Sequence, residues 1–172
     1  TQPALVARLR AEIDEIVGPG PILFEHTRKL LFVRNVFRET LRLYPPITFL
    51  PRVANEATRI GDYPVKKGAL IMVAPWVLHR HQSYWRDPHM FDPDRFLPER
   101  EAEMTAGAYI PFGIGPRVCA GAAFAQVEAV LLIARLFRDF DFHIEAPGDV
   151  RPAARLTTRP ARQVMCRVTR RA

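Results

Sequence analysis

The sequence predicts an α+β fold, mainly helical, with one small antiparallel sheet and a long irregular meander. Three observations predict it. Apolar residues recur at helical spacing in three stretches, over residues 4–17, 27–44 and 120–140. Short β-branched and aromatic runs crowd between residues 48 and 74, separated by turn residues. A Pro- and Asp-rich stretch from His81 to Pro111 shows little periodicity, and so long a loop in a compact domain is usually functional.

The elements follow in order. Leu5, Leu9, Ile13 and Ile16 line one face of a helix over Ala4–Val17, and Gly18-Pro19-Gly20-Pro21 stops it. Thr27 is the expected N-cap of a second helix that runs to about Tyr44, where Pro45-Pro46 ends it. Strands are expected over Thr48–Val53, Thr58–Ile60, Tyr63–Val65 and Ala69–Ala74. Gly61-Asp62 and Lys66-Lys67-Gly68 turn between them, which makes a single meandering sheet. Trp76–Arg80 reads as a short helix. Ala120–Phe140 is the strongest helix, with Ala123, Phe124, Val127, Val130, Leu131, Ile133, Ala134, Leu136 and Phe137 covering most of its circumference. That is the pattern of a helix buried on most sides. Asp141–Arg167 reads as two or three short strands.

Composition narrows the class. Hydrophobic residues make up 48% of the 172 positions, enough for a core and too many for a disordered chain. No apolar run approaches the ~20 residues of a membrane-spanning helix. Residues 151–172 hold seven Arg and no acidic residue, and so account for the whole net charge of +7. A basic excess confined to one Pro- and Thr-interrupted tail predicts a solvated or partner-facing strand pair, not nucleic-acid binding. Two cysteines, Cys119 and Cys166, are too few for a disulfide framework and suit a reducing, cytoplasmic setting.

The chemistry concentrates at Cys119. The segment Pro111-Phe112-Gly113-Ile114-Gly115-Pro116-Arg117-Val118-Cys119-Ala120-Gly121 precedes the strongest helix directly. Its glycines permit backbone geometry closed to other residues, or close approach to a flat object. A cysteine where a helix begins is favoured as thiolate by the helix dipole and free N–H groups. A buried cysteine is ordinarily just a small hydrophobe. A phosphate cradle would need a Lys-Ser/Thr pair that is missing, and zinc would need further Cys or His nearby. A lone thiolate fits haem, whose equatorial ligands are its own nitrogens.

Phe112-Gly113-x-Gly115-x-Arg117-x-Cys119-x-Gly121 resembles the haem signature of the cytochrome P450 family without a departure. Glu39-Thr40-Leu41-Arg42 is similar to that family's Glu-x-x-Arg motif, although from spacing alone the pair reads as a surface ion pair worth ~0–1 kcal/mol. Phe91-Asp92-Pro93-Asp94-Arg95-Phe96 matches the family's meander, with Asp94 where Glu is frequent. The resemblance implies a haem b cofactor with Cys119 as axial ligand and metal-binding residue, Phe112, Gly113 and Gly121 packed around it, and Arg117 and Arg52 on the haem propionates. It implies a structural triad of Glu39, Arg42 and Arg95, and substrate contacts from Ile47, Thr48, Phe49 and Leu50. His79 and His81 are read as structural or surface residues.

The resemblance further implies a C-terminal portion of the cytochrome P450 fold, a single partial domain over 1–172. It divides into helices (1–46), sheet (47–75), meander and Cys loop (76–118), buried helix (119–140) and terminal strands (141–172). The activity implied is insertion of one oxygen atom of O2 into a small apolar organic substrate, with electrons from a ferredoxin or flavin reductase. The family's distal helix, with its acid/alcohol pair, has no counterpart here. The alternative is a non-catalytic haem-binding or interaction fragment that dimerises through exposed apolar surface.

Overall fold

Three helices build the core of the computed structural model, which describes residues 2–145, 148, 150–155 and 157–171. Helix α1 (Pro3–Val17) presents Leu9 and Ile13, α2 (Leu31–Leu43) presents Phe32 and Val33, and α5 (Ala122–Asp139) presents Val130 and Ala134. Together with Leu30 these form one buried cluster. Gly18, at φ +62°, ends α1 and donates its N–H to Asp14.

The start of α2 corrects the expected cap. Thr27 lies in a separate 3₁₀ turn, Phe24–Arg28, where its hydroxyl donates to the Phe24 carbonyl at 2.6 Å. The N-cap of α2 is Leu30, which has no capping side chain. The first-turn N–H groups of Phe32 and Val33 donate instead to the carboxylate of Glu12 on α1, at 2.7 and 2.9 Å. A carboxylate there satisfies orphan donors and faces the positive end of the helix dipole, so a local cap is redundant.

The expected single sheet is two antiparallel pairs. β1 (Leu50–Val53) pairs with β4 (Leu70–Val73), while β2 (Thr58–Ile60) and β3 (Tyr63–Val65) form an inner hairpin. Gly68, at φ +80°, donates to the Ala54 carbonyl, and Ala54 N–H donates to Ala69, which closes the outer pair apart from the hairpin. Helix α3 (Pro75–Leu78) follows. The meander then holds a 3₁₀ turn at Pro93–Phe96 and the one-turn helix α4 (Pro98–Glu101).

The end of the chain contains four described strands, one more than the sequence suggested at most. β5 (Phe140–Ile144) pairs with β8 (Cys166–Arg170), and β6 (Pro152–Ala154) with β7 (Thr158–Pro160). Thr158 anchors the second pair: its N–H donates to Pro46 and its hydroxyl to Pro45, each at 2.8 Å. The arginine-rich tail thus takes part in the fold. Arg171 donates to the carbonyls of Phe137 and Arg138 at the end of α5.

Helix α5 departs most from expectation. Only Val130 and Ala134 on it are buried, while Phe124 is 71% and Leu132 54% exposed. Its apolar residues encircle the helix, but α1, α2 and the Phe24–Arg28 turn cover one side only. No helix among the described residues is long and apolar enough to cross a membrane.

Candidate functional site: the cysteine loop and its supporting network

Glu39 and Arg42 lie one turn apart on α2, and both are fully buried. Arg42 Nε and Nη2 donate to the two carboxylate oxygens at 2.7 and 2.8 Å, a bidentate pair. Its remaining donors go to backbone carbonyls: Nη1 to His79 and Pro88 at 2.7 Å, Nη2 also to Met90 at 3.0 Å. A guanidinium has five N–H groups, and all five are used. Arg95, from the Pro93–Phe96 turn, donates to Glu39 Oε1 at 3.3 Å and to the carbonyls of Arg86 and Asp87. Asp92 N–H completes the shell around Oε1 at 2.9 Å. The carboxylate therefore ties α2 to the meander through Arg42, Arg95 and Asp92.

Two further links run from this network to the Cys loop. Tyr109 donates its hydroxyl to the Arg38 carbonyl at 3.0 Å, and burial holds the phenol pKa above its usual value. His79 Nε2 accepts from Ile110 N–H at 2.9 Å. The loop itself is held by Gly113 N–H on the Ile110 carbonyl (3.0 Å) and Cys119 N–H on the Phe112 carbonyl (2.9 Å).

Gly113 and Gly115 take φ of +80° and +72°. At Gly113 a Cβ would sit 3.7–3.9 Å from Arg117, Val118 and Leu50, ordinary contact distances. The cost of Gly113→Ala is then the left-handed backbone, and a loss of ~1–2 kcal/mol in unfolding free energy is expected from denaturant titration. At Gly121 a Cβ would stand 3.9 Å from Cys119 Sγ.

Cys119 does not begin the helix, as expected, but lies on the turn before it. Helix α5 starts at Ala122 with Gly121 as N-cap, and Ala122 N–H donates to the Cys119 carbonyl. The dipole acts mainly within the first turn, so proximity to α5 is a weaker influence on this sulfur than the sequence suggested. Cys119 is exposed. Phe112 is half-buried. Arg117, on the 3₁₀ turn Gly115–Arg117, is exposed. Arg52 on β1 is half-buried and donates to the Pro51 carbonyl. Neither arginine has an acidic partner among the described residues.

Ile47 and Phe49 are exposed and alternate with half-buried Thr48 and Leu50. Leu50 Cδ1 approaches the position of a Gly113 Cβ within 3.8 Å, so this segment runs beside the Cys loop. Of the histidines, His81 is exposed, its Nδ1 accepting from Ser83 N–H, whereas His79 is completely buried. The tethering bonds of His79 and Tyr109 were not legible in the sequence, because one end of each is a backbone group.

The family model "Cytochrome P450" matches residues 1–167. The chain belongs to the cytochrome P450 family. It is 36% identical over 165 residues to cyclooctatin synthase of Streptomyces melanosporofaciens, covering 94% of this chain and 36% of that protein. It is 38% identical over 161 residues to LUTEIN DEFICIENT 5, chloroplastic, of Arabidopsis thaliana, covering 92% and 27%. It is 32% identical over 169 residues to pentalenene oxygenase of Streptomyces avermitilis, covering 98% and 38%. Among solved structures, the heme domain of cytochrome P450DA superposes with a TM-score of 0.91 at 28% identity, covering 99% of this chain and 38% of that one. The α+β architecture is therefore that of the P450 fold, and the chain spans about a third of the length of these curated relatives.

Proposed function

We propose that this chain is the haem-binding, C-terminal portion of a haem-thiolate monooxygenase, with Cys119 as the axial ligand of haem b. One observation carries the reading. Cys119 is exposed, and no group of three or more His, Cys, Asp or Glu among the described residues could hold a metal ion. A metal at this sulfur must bring its remaining ligands with it, as haem does.

The residues present fit such a group. Gly113 and Gly115 hold the loop in left-handed conformations, and Gly121 leaves free the space a Cβ would fill near Sγ. Exposed Ile114 and Val118 offer apolar surface in the same loop. Among the described residues Arg117 and Arg52 have guanidinium donors without acidic partners, suited to propionates. Phe112 and Gly113 shape the proximal side, and Ile47, Thr48, Phe49 and Leu50 supply an apolar edge for substrate.

When bound, haem would supply the oxygen chemistry that inserts one atom of O2 into a small apolar organic substrate, with the Cys119 thiolate as its protein ligand. This chain's residues bind and orient the group. The Glu39 network holds the loop, and Arg117 and Arg52 would hold the propionates. Electrons come from a ferredoxin or flavin reductase, in the cytoplasm. The similarity to a pentalenene oxygenase supports the oxygenase reading.

The test is spectroscopic. The chain loaded with haem, reduced and exposed to carbon monoxide, should show a thiolate-type Soret band. Cys119→Ala should abolish that band. Its persistence in the variant would remove Cys119 as ligand.

A second reading, a non-catalytic fragment that self-associates, has its own observation in the exposed Phe124, Leu132 and Leu136 of α5. Sedimentation separates the two. A monomer with the thiolate band supports the first, and a dimer that takes no haem supports the second.

A further inference from the structure

His79 is a buried titratable residue that the proposed function leaves without a role. It follows α3 directly and none of its surface reaches solvent. Its ring bridges two backbone groups. Nε2 lies 2.9 Å from the Ile110 amide nitrogen, and Nδ1 lies 3.2 Å from the Arg42 carbonyl. An amide N–H only donates and a carbonyl only accepts, so these partners require a neutral ring protonated on Nδ1. The backbone of the same residue is also held, its carbonyl accepting from Arg42 Nη1 at 2.7 Å.

These bonds form a continuous path. Glu39 holds Arg42, Arg42 holds His79, and His79 holds Ile110, the residue before Pro111 and the Cys loop. The Ile110 carbonyl then accepts from Gly113 N–H, and the Phe112 carbonyl from Cys119 N–H. Tyr109 makes a parallel link to Arg38, but through its side chain. His79 alone among these residues grips the backbone at the base of the loop.

We propose that His79 is a positioning residue for Cys119: by accepting from Ile110 N–H it registers the Cys loop against α2 and so sets the orientation of the ligating sulfur. The inference rests on the haem-thiolate reading, and its geometry stands in the protein alone.

Two substitutions separate positioning from bulk packing. In His79→Gln the side-chain oxygen can reach the place of Nε2 and accept from Ile110 N–H. In His79→Asn the amide reaches only the place of Nδ1, which serves the Arg42 carbonyl and leaves Ile110 N–H unpaired. The loss of one buried acceptor corresponds to a change of about tenfold in an equilibrium. Each variant, as the full haem-loaded chain, is measured by its reduced, carbon-monoxide-bound spectrum and by hydrogen exchange at the Ile110 amide.

The expected result is a thiolate-type Soret fraction near wild type in the Gln variant. In the Asn variant the ratio of thiolate-ligated to other forms falls about tenfold, and the Ile110 amide exchanges about tenfold faster. If the two variants match each other, whether both retain the band or both lose it, the proposal is overturned. A wild-type chain without the band refutes the haem-thiolate reading instead. The exchange rate then decides this one, with Ile110 protected in the Gln variant and unprotected in the Asn variant as the supporting outcome, and equal rates as the overturning one.

Discussion

Glu39→Ala is expected to cost about 3–5 kcal/mol of unfolding free energy and to yield protein that takes up no haem. The size follows from what the carboxylate leaves behind. Arg42 is fully buried and Arg95 nearly so, and both lose their only carboxylate partner in the network. Their charges then keep their backbone carbonyl partners but lose the carboxylate that pairs them. Asp92 N–H is orphaned as well, which adds the cost of an unmade buried hydrogen bond. A domain is stable by only ~5–15 kcal/mol in total, so one substitution removes a large share.

The damage is also directional. Glu39 joins α2 to the 3₁₀ turn at Pro93–Phe96 and, through Arg42, to His79. The Cys loop hangs from this junction. Denaturant unfolding measures the first effect and haem content the second. Normal haem content in Glu39→Ala would remove the network from any role in supporting the loop. Arg42→Lys should also be costly, since three ammonium donors cannot replace five in a fixed fork.

The site was legible in the sequence where side chains carry the pattern. Glu39, Arg42 and Arg95 could be named from the resemblance of Glu39-x-x-Arg42 and of residues 91–96 to the family's motifs, not from spacing, and the structure brings them within hydrogen-bonding distance. Their other partners could not be named. The carbonyls of His79, Pro88, Met90, Arg86 and Asp87 belong to a meander whose path no periodicity specifies. His79 was placed among structural or surface residues because nothing in a sequence separates a buried neutral imidazole from a solvated one.

The fold shows the same division. Helices α1, α2 and α5 announce themselves by spacing, within a few residues at their ends. Thr27 looks like a cap, yet a carboxylate from α1 does that work from a distance in sequence that no local pattern encodes. The four runs between residues 48 and 74 were recognisable as strands, but alternation does not say which strand pairs with which. The apolar circumference of α5 reads as burial. It records which surfaces need covering, and this chain covers one side.

Between about pH 6.5 and 4 the chain should lose about 3 kcal/mol of stability through His79 alone. Burial lowers this pKa from 6.5 to about 4, helped by the positive charges of Arg42 and Arg80 and opposed by the bond to the Arg42 carbonyl. The other ring against it, Tyr109, stays protonated and uncharged. Over that window the unfolded chain binds the proton and the folded chain does not. Stability therefore rises with pH between the two values, is complete above 6.5, and is lost as pH falls to about 4. A fall from 6.5 to about 4 corresponds to ~3 kcal/mol.

Carboxylates contribute their own acid dependence; Glu101, for one, is lowered by its hydrogen bond from Arg38. The difference between wild type and His79→Gln removes them, since both chains carry the same acids. Denaturant unfolding from pH 7 to 4 should show wild type steeper by up to one proton. Equal slopes would mean that His79 takes up its proton at the same pH in the folded and the unfolded chain, against the partners it has. The same proton would also occupy Nε2, the atom that accepts from Ile110 N–H. A folded chain that gains it must release the base of the Cys loop. On the positioning reading, the thiolate-type band should accordingly fade around pH 4, where the stability loss through His79 levels off, and that transition should be missing from His79→Gln.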